Sequence, residues 1–506
     1  MRRGALPLLL AIFACLSVGR AAATPLPAFA SPAAAATACA AIANADFSMT
    51  PDAPSQIINA KIRAKSENHP EVCLVNGYVS PTVGFRIWLP TENWNGKFSQ
   101  TGCGGRCADI LNDGCEIVVT RGYACIAADL GHKGTLYDDV WAIDNIPGMI
   151  DFGFRATHVT NLIGKAVTSR FYGRKPAYSY YFGASTGGRQ GLIEAQRFPA
   201  DFNGIVAGEP AMNRPGIDQN SAGNALSSAV QAMFVDGKAL ITPAELAMIH
   251  QHVIEECDDD DNLKDGIVSD PRACKFKPAD LLCKGPKTPD CLTQTQVDAL
   301  ARIYQAGPLP GSELHWVGAY ILPDGSPGRY RRRVANPYLY PYFWAFTDAT
   351  NPDLRPFKDA GGKLIVYQGW ADEATFPLNP VKYYETVERL MGGRAQTQEF
   401  FRLFMIPAEG HIPAPGGVGN GAETVDYLTA LENWVEHGQA PDKLIGYHLK
   451  SIGVFAGPVI YGFEMRPDNI VFSRPVYPYP VQARYLGHGN PDDASSFGPY
   501  DPTAHK

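Results

Sequence analysis

The chain has 506 residues, with 44 Lys+Arg against 51 Asp+Glu for a net charge of −7, and it is 45% apolar and 19% charged. That composition is globular, excludes disorder over most of the length and, with no basic block, argues against a nucleic-acid binder. Beyond the N-terminus no apolar run reaches the roughly 18 residues that a membrane span needs.

Arg2 and Arg3 precede the apolar run Ala5–Val18, and Ala21-Ala22-Ala23 offers a small-residue cleavage site, with Ala28-Phe29-Ala30 as a later one. Residues 1–23 therefore read as an export signal, with residue 30 as the later cleavage alternative, and the mature protein as secreted or periplasmic. Cys15 offers a lipoprotein alternative, weakened by the large Phe13 before it. Loss of Cys15 leaves ten of the eleven cysteines. An even number in an exported chain reads as up to five disulfides. The rival reading is metal ligation at Cys103-x3-Cys107, although no His pair of zinc-finger spacing accompanies it.

Residues 31–80 mix Ala-rich and polar text and read as an N-terminal extension. From Gly84 the pattern is α/β. Phe85–Leu89 and Lys97–Thr101 are expected strands, and Glu116–Ala128 holds two β-branched runs split by Arg121-Gly122. Arg155–Phe171 has helical periodicity, Tyr178–Phe182 is a strand, Gly187–Phe198 a helix and Gly204–Ala207 a strand. Lys363–Tyr367 and Arg402–Ile406 are further strands, and Thr424–His437 is an amphipathic helix. Strands alternating with helices predict a mainly parallel sheet covered on both faces. Residues 214–350 break that rhythm and read as a lid domain inserted into a catalytic domain of residues 31–213 and 351–506.

Gly183-Ala184-Ser185-Thr186-Gly187 follows an apolar strand and opens a helix, the setting of a nucleophile elbow. A serine at so sharp a turn exposes its Oγ, and flanking glycines relieve the crowding. The Thr186 N–H at the helix N-terminus faces a developing oxyanion. Triads on such sheets run Ser, then acid, then His. Asp372 follows Lys363–Tyr367, and His411 follows Arg402–Ile406, so His411 would take the Ser185 proton and Asp372 would orient His411. Glu373 is the fallback acid. His132 precedes the serine and reads as a structural hydrogen-bonding residue. Thr101-Gly-Cys-Gly-Gly105 is the loop available for a second oxyanion donor. Cys257–Asp270 packs six aspartates into one stretch, a calcium-type loop or a solvated acidic one.

With these residues in place, the chain resembles the tannase and feruloyl esterase family, which also contains the mono(2-hydroxyethyl) terephthalate hydrolases. The similarity runs from about Cys39 to Tyr485, through Trp94-Asn-Gly-Lys-Phe98, Arg170-Phe-Tyr-Gly-Arg174, Gly183–Gly191, Arg197-Phe-Pro199, Gly204-Ile-Val-Ala-Gly208, Asp265-Gly-Ile-Val268, Tyr477-Pro-Tyr479 and Ala483-Arg-Tyr485. The resemblance implies an α/β-hydrolase fold with a large inserted lid, a Ser185–Asp372–His411 triad, and oxyanion donors at Gly105 and Thr186. It implies structural Ca²⁺ at Asp258, Asp261 and Asp265 with the carbonyls of Leu263 and Ile267, and no organic cofactor. It pairs Cys39 with Cys73, Cys257 with Cys274 and Cys283 with Cys291, and leaves the pairing of Cys103, Cys107, Cys115 and Cys125 open. The family's bridging cysteines beside the nucleophile and the histidine are here Ala184 and Ile412.

The implied activity is a secreted serine esterase acting on small aromatic esters of plant cell-wall or polyphenol origin, feruloyl first, then galloyl and terephthalate. A catalytically dead binding protein on the same fold is the alternative of another class. Tyr338, Tyr340, Tyr342, Phe343 and Trp344 could stack on an aromatic acyl group or simply fill the lid core. Arg329, Arg331, Arg332 and Arg333 could hold a phenolic or carboxylate group or form a solvated face. Oligomeric state is open.

Overall fold

The computed structural model describes residues 29–110, 113–135, 140–212, 233–328, 345–411, 421–450 and 467–504. Residues 1–23, expected as an export signal, the aromatic stretch from Tyr338 to Trp344, the arginines from Arg329 to Arg333 and Ile412 lie outside the described residues.

The apolar strand text assembles into one nine-stranded sheet. Its strands are β1 (Ser55–Arg63), β2 (Val72–Val79), β3 (Val83–Pro90), β4 (Lys97–Thr101), β5 (Ala124–Ala128), β6 (Tyr178–Ala184) and β7 (Gly204–Gly208). After a short hairpin of β8 (Phe234–Val235) and β9 (Lys238–Ala239) come β10 (Lys363–Gly369) and β11 (Phe401–Ile406). The spatial order is β1-β2-β3-β5-β4-β6-β7-β10-β11. From β5 to β11 every neighbouring pair is parallel, whereas β1, β2, β3 and β5 pair antiparallel. The sheet is thus mixed, with its parallel part at the strands that carry the candidate site.

Strands β5, β7 and β11 are buried at every position, as expected for parallel strands covered on both faces. Alternation sorts their side chains into two cores. Tyr181, Ile205, Ala207, Leu364 and Val366 join one core with the helices Ala156–Tyr172 and Leu378–Met391. Tyr180, Phe182, Val206, Ile365 and Tyr367 join the other with the helices Asp113–Thr120 and Tyr427–His437.

Between β7 and β10 the chain leaves the sheet, and residues from Met233 to Ile321 form a third hydrophobic cluster around Leu246, Ile249, Trp316 and Tyr320. Its helices Pro243–Cys257 and Gln294–Ala306 both open on capping boxes, Thr242 with Glu245 and Thr293 with Gln296. The C-terminal part adds β12 (Thr424–Val425), β13 (Leu444–Leu449) and β14 (Ile470–Val476) as a three-stranded sheet, and β15 (Gln482–Tyr485) with β16 (Phe497–Tyr500) as a hairpin.

Two local expectations are corrected. The first β-branched run of Glu116–Ala128 is the end of the helix Asp113–Thr120, not a strand. Val118 and Val119 are buried there, and Cys115 is bonded to Cys125 of β5, so packing and a covalent tie override strand propensity. Thr424 and Val425 form a strand, and the helix begins only at Tyr427, capped by Asp426. The N-terminal extension supplies the helix Pro32–Ala43 and the two edge strands β1 and β2.

Disulfides join Cys39–Cys73, Cys103–Cys107, Cys115–Cys125, Cys257–Cys274 and Cys283–Cys291. Cys103 and Cys107 close on each other, which removes both thiolates from any metal reading.

Candidate active site

Ser185 sits between β6 and the helix Thr186–Arg197 with φ +60, an unusual value for a non-glycine residue. The turn has room for this because Gly183, Gly187 and Gly188, close to it in sequence, lack side chains. A Cβ on Gly183 would come within 2.7 Å of the Gly187 backbone, and one on Gly188 within 2.1 Å of the Gly208 carbonyl. The Ser185 N–H donates to Gly208 O at 2.9 Å, and Ser185 O accepts from Arg189 and Ala211.

His411 leaves the end of β11, and Asp372 follows β10 through Trp370 and Ala371. The two strands pair in parallel, so their ends bring both residues to the edge above β6. His411 Nε2 lies 3.0 Å from Ser185 Oγ, and His411 Nδ1 lies 3.0 Å from Asp372 Oδ2. Asp372 is completely buried and accepts from Ala374 N–H, Thr375 N–H, Thr375 Oγ1 and Gln368 Nε2 at 2.6–2.8 Å. Burial pushes its carboxyl up, but the His411 charge and these hydrogen bonds outweigh that and hold it below the usual carboxylate range. The arrangement can pass a proton from a serine hydroxyl to an imidazole whose other nitrogen is held by an anion.

Glu373 sits elsewhere than a fallback acid requires. Its Oε2 accepts from the His411 backbone N–H at 3.2 Å, and its carbonyl accepts from Tyr320 Oη of the inserted segment at 2.5 Å. The second carboxyl on the imidazole edge is Glu209, with Oε2 3.5 Å from His411 Nδ1. Sequence reasoning missed it, although an acidic residue directly after the apolar run Gly204–Gly208, between the serine and the histidine in chain order, was a usable signal.

Gly105 adopts φ +56 in the loop after β4, and its carbonyl accepts from Thr186 Oγ1 at 2.6 Å. The loop is pinned further by Gly102 N–H to Phe182 O at 2.7 Å, by Cys103 N–H to Gln190 Oε1 at 3.2 Å and by the Cys103–Cys107 bond. His132 Nε2 lies 2.7 Å from Arg106 O, and its ring stacks on Trp141. Burial lowers the His132 pKa, so a neutral imidazole props this loop.

In the acidic loop Asp258 accepts from the N–H groups of Gly266 and Ile267, and Asp261 from Leu263 N–H and Ser269 Oγ. Asp265 Oδ2 accepts from Arg474 Nη2 at 2.6 Å. Burial pushes Asp258 up, Asp260 up to about 6 and Asp261 up to about 7, with neighbouring carboxylates adding to each. The donors are all oxygen, which suits a hard cation, and the raised carboxyls are those a cation would relieve. Among the described residues the three loop carboxylates do not form a cluster with oxygen atoms all within 4.8 Å of one another, so an ion would have to draw them in.

A family model described as "Tannase and feruloyl esterase" matches residues 69–316 and 336–499. The mono(2-hydroxyethyl) terephthalate hydrolase of Piscinibacter sakaiensis is 30% identical over 85% of this chain and 84% of that protein. A probable feruloyl esterase B-2 of Aspergillus flavus is 33% identical over 74% of this chain and 80% of that protein. The crystal structure of feruloyl esterase B from Aspergillus oryzae superposes with a TM-score of 0.75 at 24% identity, covering 92% of this chain and 100% of that one. That likeness shows the α/β-hydrolase fold. Among the described residues no helix is long and apolar enough to cross a membrane.

Proposed function

The chain belongs to the tannase and feruloyl esterase family and is a carboxylic ester hydrolase; on that premise we propose that Ser185 is its nucleophile and that it acts on esters of aromatic acids, feruloyl esters first. The observation that carries the nucleophile is the 3.0 Å approach of His411 Nε2 to Ser185 Oγ, backed by the 3.0 Å contact of His411 Nδ1 with a buried Asp372. As Ser185 Oγ bonds to the ester carbonyl carbon, its proton moves to His411 Nε2. The imidazolium, stabilised by the Asp372 anion, then protonates the departing alcohol and leaves an acyl-enzyme. Water attacks next, gives its proton to His411, and the acid departs as Ser185 regains a proton. The N–H groups of Gly105 and Thr186 hold the oxyanion in both halves.

The aromatic acyl group is proposed from the family and from the names of the two relatives above. Ca²⁺ is proposed at Asp258, Asp261, Asp265 and the carbonyls of Leu263 and Ile267, where it would screen the loop's charge and brace the segment against the C-terminal strands through Arg474. Residues 214–350 are proposed as a lid. Export is proposed from the N-terminal text and agrees with five disulfides.

The test is hydrolysis of methyl ferulate, methyl gallate, mono(2-hydroxyethyl) terephthalate and p-nitrophenyl butyrate by the purified protein and by Ser185→Ala, with product acids resolved by chromatography. Cleavage of an aromatic ester that disappears in the variant is expected. Folded protein that cleaves p-nitrophenyl butyrate but none of the aromatic esters would overturn the acyl preference, and activity surviving in Ser185→Ala would overturn the nucleophile.

A further inference from the structure

Glu209 follows β7, the strand beside the one that carries Ser185, in a left-handed conformation with φ +43. For a residue with a side chain that backbone is strained and persists only where the surroundings enforce it. The enforcing contacts tie it to the nucleophile. Glu209 N–H donates to Tyr367 O at 2.8 Å, the preceding Gly208 O accepts from Ser185 N–H, and Ala211 N–H donates to Ser185 O at 3.0 Å. The side chain so directed is 3% exposed, and its Oε1 has no hydrogen-bond partner among the described residues. Its Oε2 lies 3.5 Å from His411 Nδ1, against 3.0 Å for Asp372 Oδ2. Glu209, Asp372 and His411 keep these polar atoms within 4.8 Å of one another.

We propose that Glu209 is a second positioning acid of this site: it faces the same imidazole nitrogen as Asp372 and can take over the Nδ1–H hydrogen bond from it. The inference rests on the triad reading above.

The two carboxyls are unequal in the resting protein. Asp372 accepts four hydrogen bonds besides that of His411, so it carries the negative charge. Glu209 has no such donors, and around it stand Asp372 and Glu373 after β10, Glu409 beside His411 after β11, and Tyr427 on the helix beneath. Burial, then Glu409, Asp372 and Glu373, push its carboxyl well above the ordinary range, so it holds a proton while Asp372 is ionised. Removing the Asp372 charge lifts one of those repulsions. Glu209 can then release its proton to solvent and stabilise the imidazolium that forms when Ser185 gives up its own.

The experiment measures kcat and KM for p-nitrophenyl acetate, over a range of pH, in the intact protein, Ser185→Ala, Asp372→Ala, Glu209→Gln and the Asp372→Ala/Glu209→Gln double variant. Melting curves report folding, and Asp372→Ser replaces Asp372→Ala if the latter does not fold. Asp372→Ala is expected to lower kcat by about 10²-fold, far less than the roughly 10⁴-fold loss where a triad acid has no substitute. Its acid limb should move to higher pH, because Glu209 must now be ionised to serve. The double variant should fall to the Ser185→Ala level and lose that displaced limb. A double variant no slower than Asp372→Ala, or an Asp372→Ala variant already at the Ser185→Ala level, overturns the second acid. Full activity in Ser185→Ala overturns the triad reading instead.

Discussion

Thr186 Oγ1 donates a 2.6 Å hydrogen bond to the carbonyl of Gly105, so the residue after the nucleophile is tied to the loop that carries the other proposed oxyanion donor. One side chain thus couples two N–H groups that follow the C-terminal ends of the neighbouring parallel strands β4 and β6. Any movement of the Gly105 loop is transmitted to the elbow, and the reverse.

That coupling sets the first expectation. Thr186→Val keeps the shape but removes the donor, and it should lower kcat by about tenfold with little change in KM, since an oxyanion contact acts mainly in the transition state. Thr186→Ser keeps the hydroxyl and should stay near the parent rate. Steady-state kinetics on both variants separates the hydroxyl's role from that of the methyl group.

The disulfides should divide between stability and geometry. Cys39–Cys73 closes a sequence separation of 34 and Cys103–Cys107 one of 4. Chain entropy assigns about 4 kcal/mol to the first and about 2 kcal/mol to the second. Replacing Cys39 and Cys73 by Ser should therefore lower the denaturation midpoint more. The Cys103→Ser/Cys107→Ser variant should lower kcat more, because Cys107 and Ala108 both hold positive φ in the loop that the bond braces. Denaturant titration and kinetics on the two double variants give the ranking directly.

The acidic loop predicts a pH-dependent response to Ca²⁺. Asp260 and Asp261 are raised by burial to about 6 and about 7, so without a cation the folded loop binds protons more tightly than the unfolded chain does. Stability of the Ca²⁺-free protein should therefore fall as pH rises from about 4 through 7, since the folded state must give up protons it prefers to keep. Ca²⁺ competes with those same protons and should stabilise more at pH 8 than at pH 5. At a concentration a hundredfold above its dissociation constant the gain is about 2.7 kcal/mol. Melting temperatures with Ca²⁺ and with a chelator at the two pH values test it without recourse to activity.

Gly188 provides a check on the elbow. Its added Cβ would lie 2.1 Å from the Gly208 carbonyl, a backbone atom that cannot swing aside, whereas Gly173 has nothing within 4 Å of the same position. Gly188→Ala should cost about 1–3 kcal/mol or more, read as a lower melting temperature. Gly173→Ala meets no such clash but pays for its left-handed φ of +69. A Gly188→Ala protein as stable as the parent would show that the helix Thr186–Arg197 packs less tightly on β7 than a 2.1 Å approach requires.

What the amino-acid order determined is what local chemistry can carry. A strand of Tyr178–Phe182 followed by a glycine-flanked serine specifies the elbow, because only a sharp turn needs Gly183 and Gly187 where they stand. Asp372 and His411 could be chosen because each follows an apolar strand and the order of acid and base is set by the direction of the chain. The structure brings those three together. Val118 and Val119 read as strand, since a β-branched run carries no trace of the bond from Cys115 to Cys125 that holds it as a helix. Pairing among the four remaining cysteines was equally illegible, because spacing does not say which thiols meet.

Glu209 shows the same boundary at the site itself. Its place after β7 is written in the sequence, but its 3.5 Å approach to His411 is made by parallel register across β6, β7, β10 and β11 and by one residue held at positive φ. Glu373, adjacent to Asp372 in sequence, turns instead to a backbone N–H. A local pattern acts over one strand or one turn, whereas the choice between two carboxyls for one imidazole nitrogen depends on angstrom-scale distances between strands, and only the packed sheet sets those.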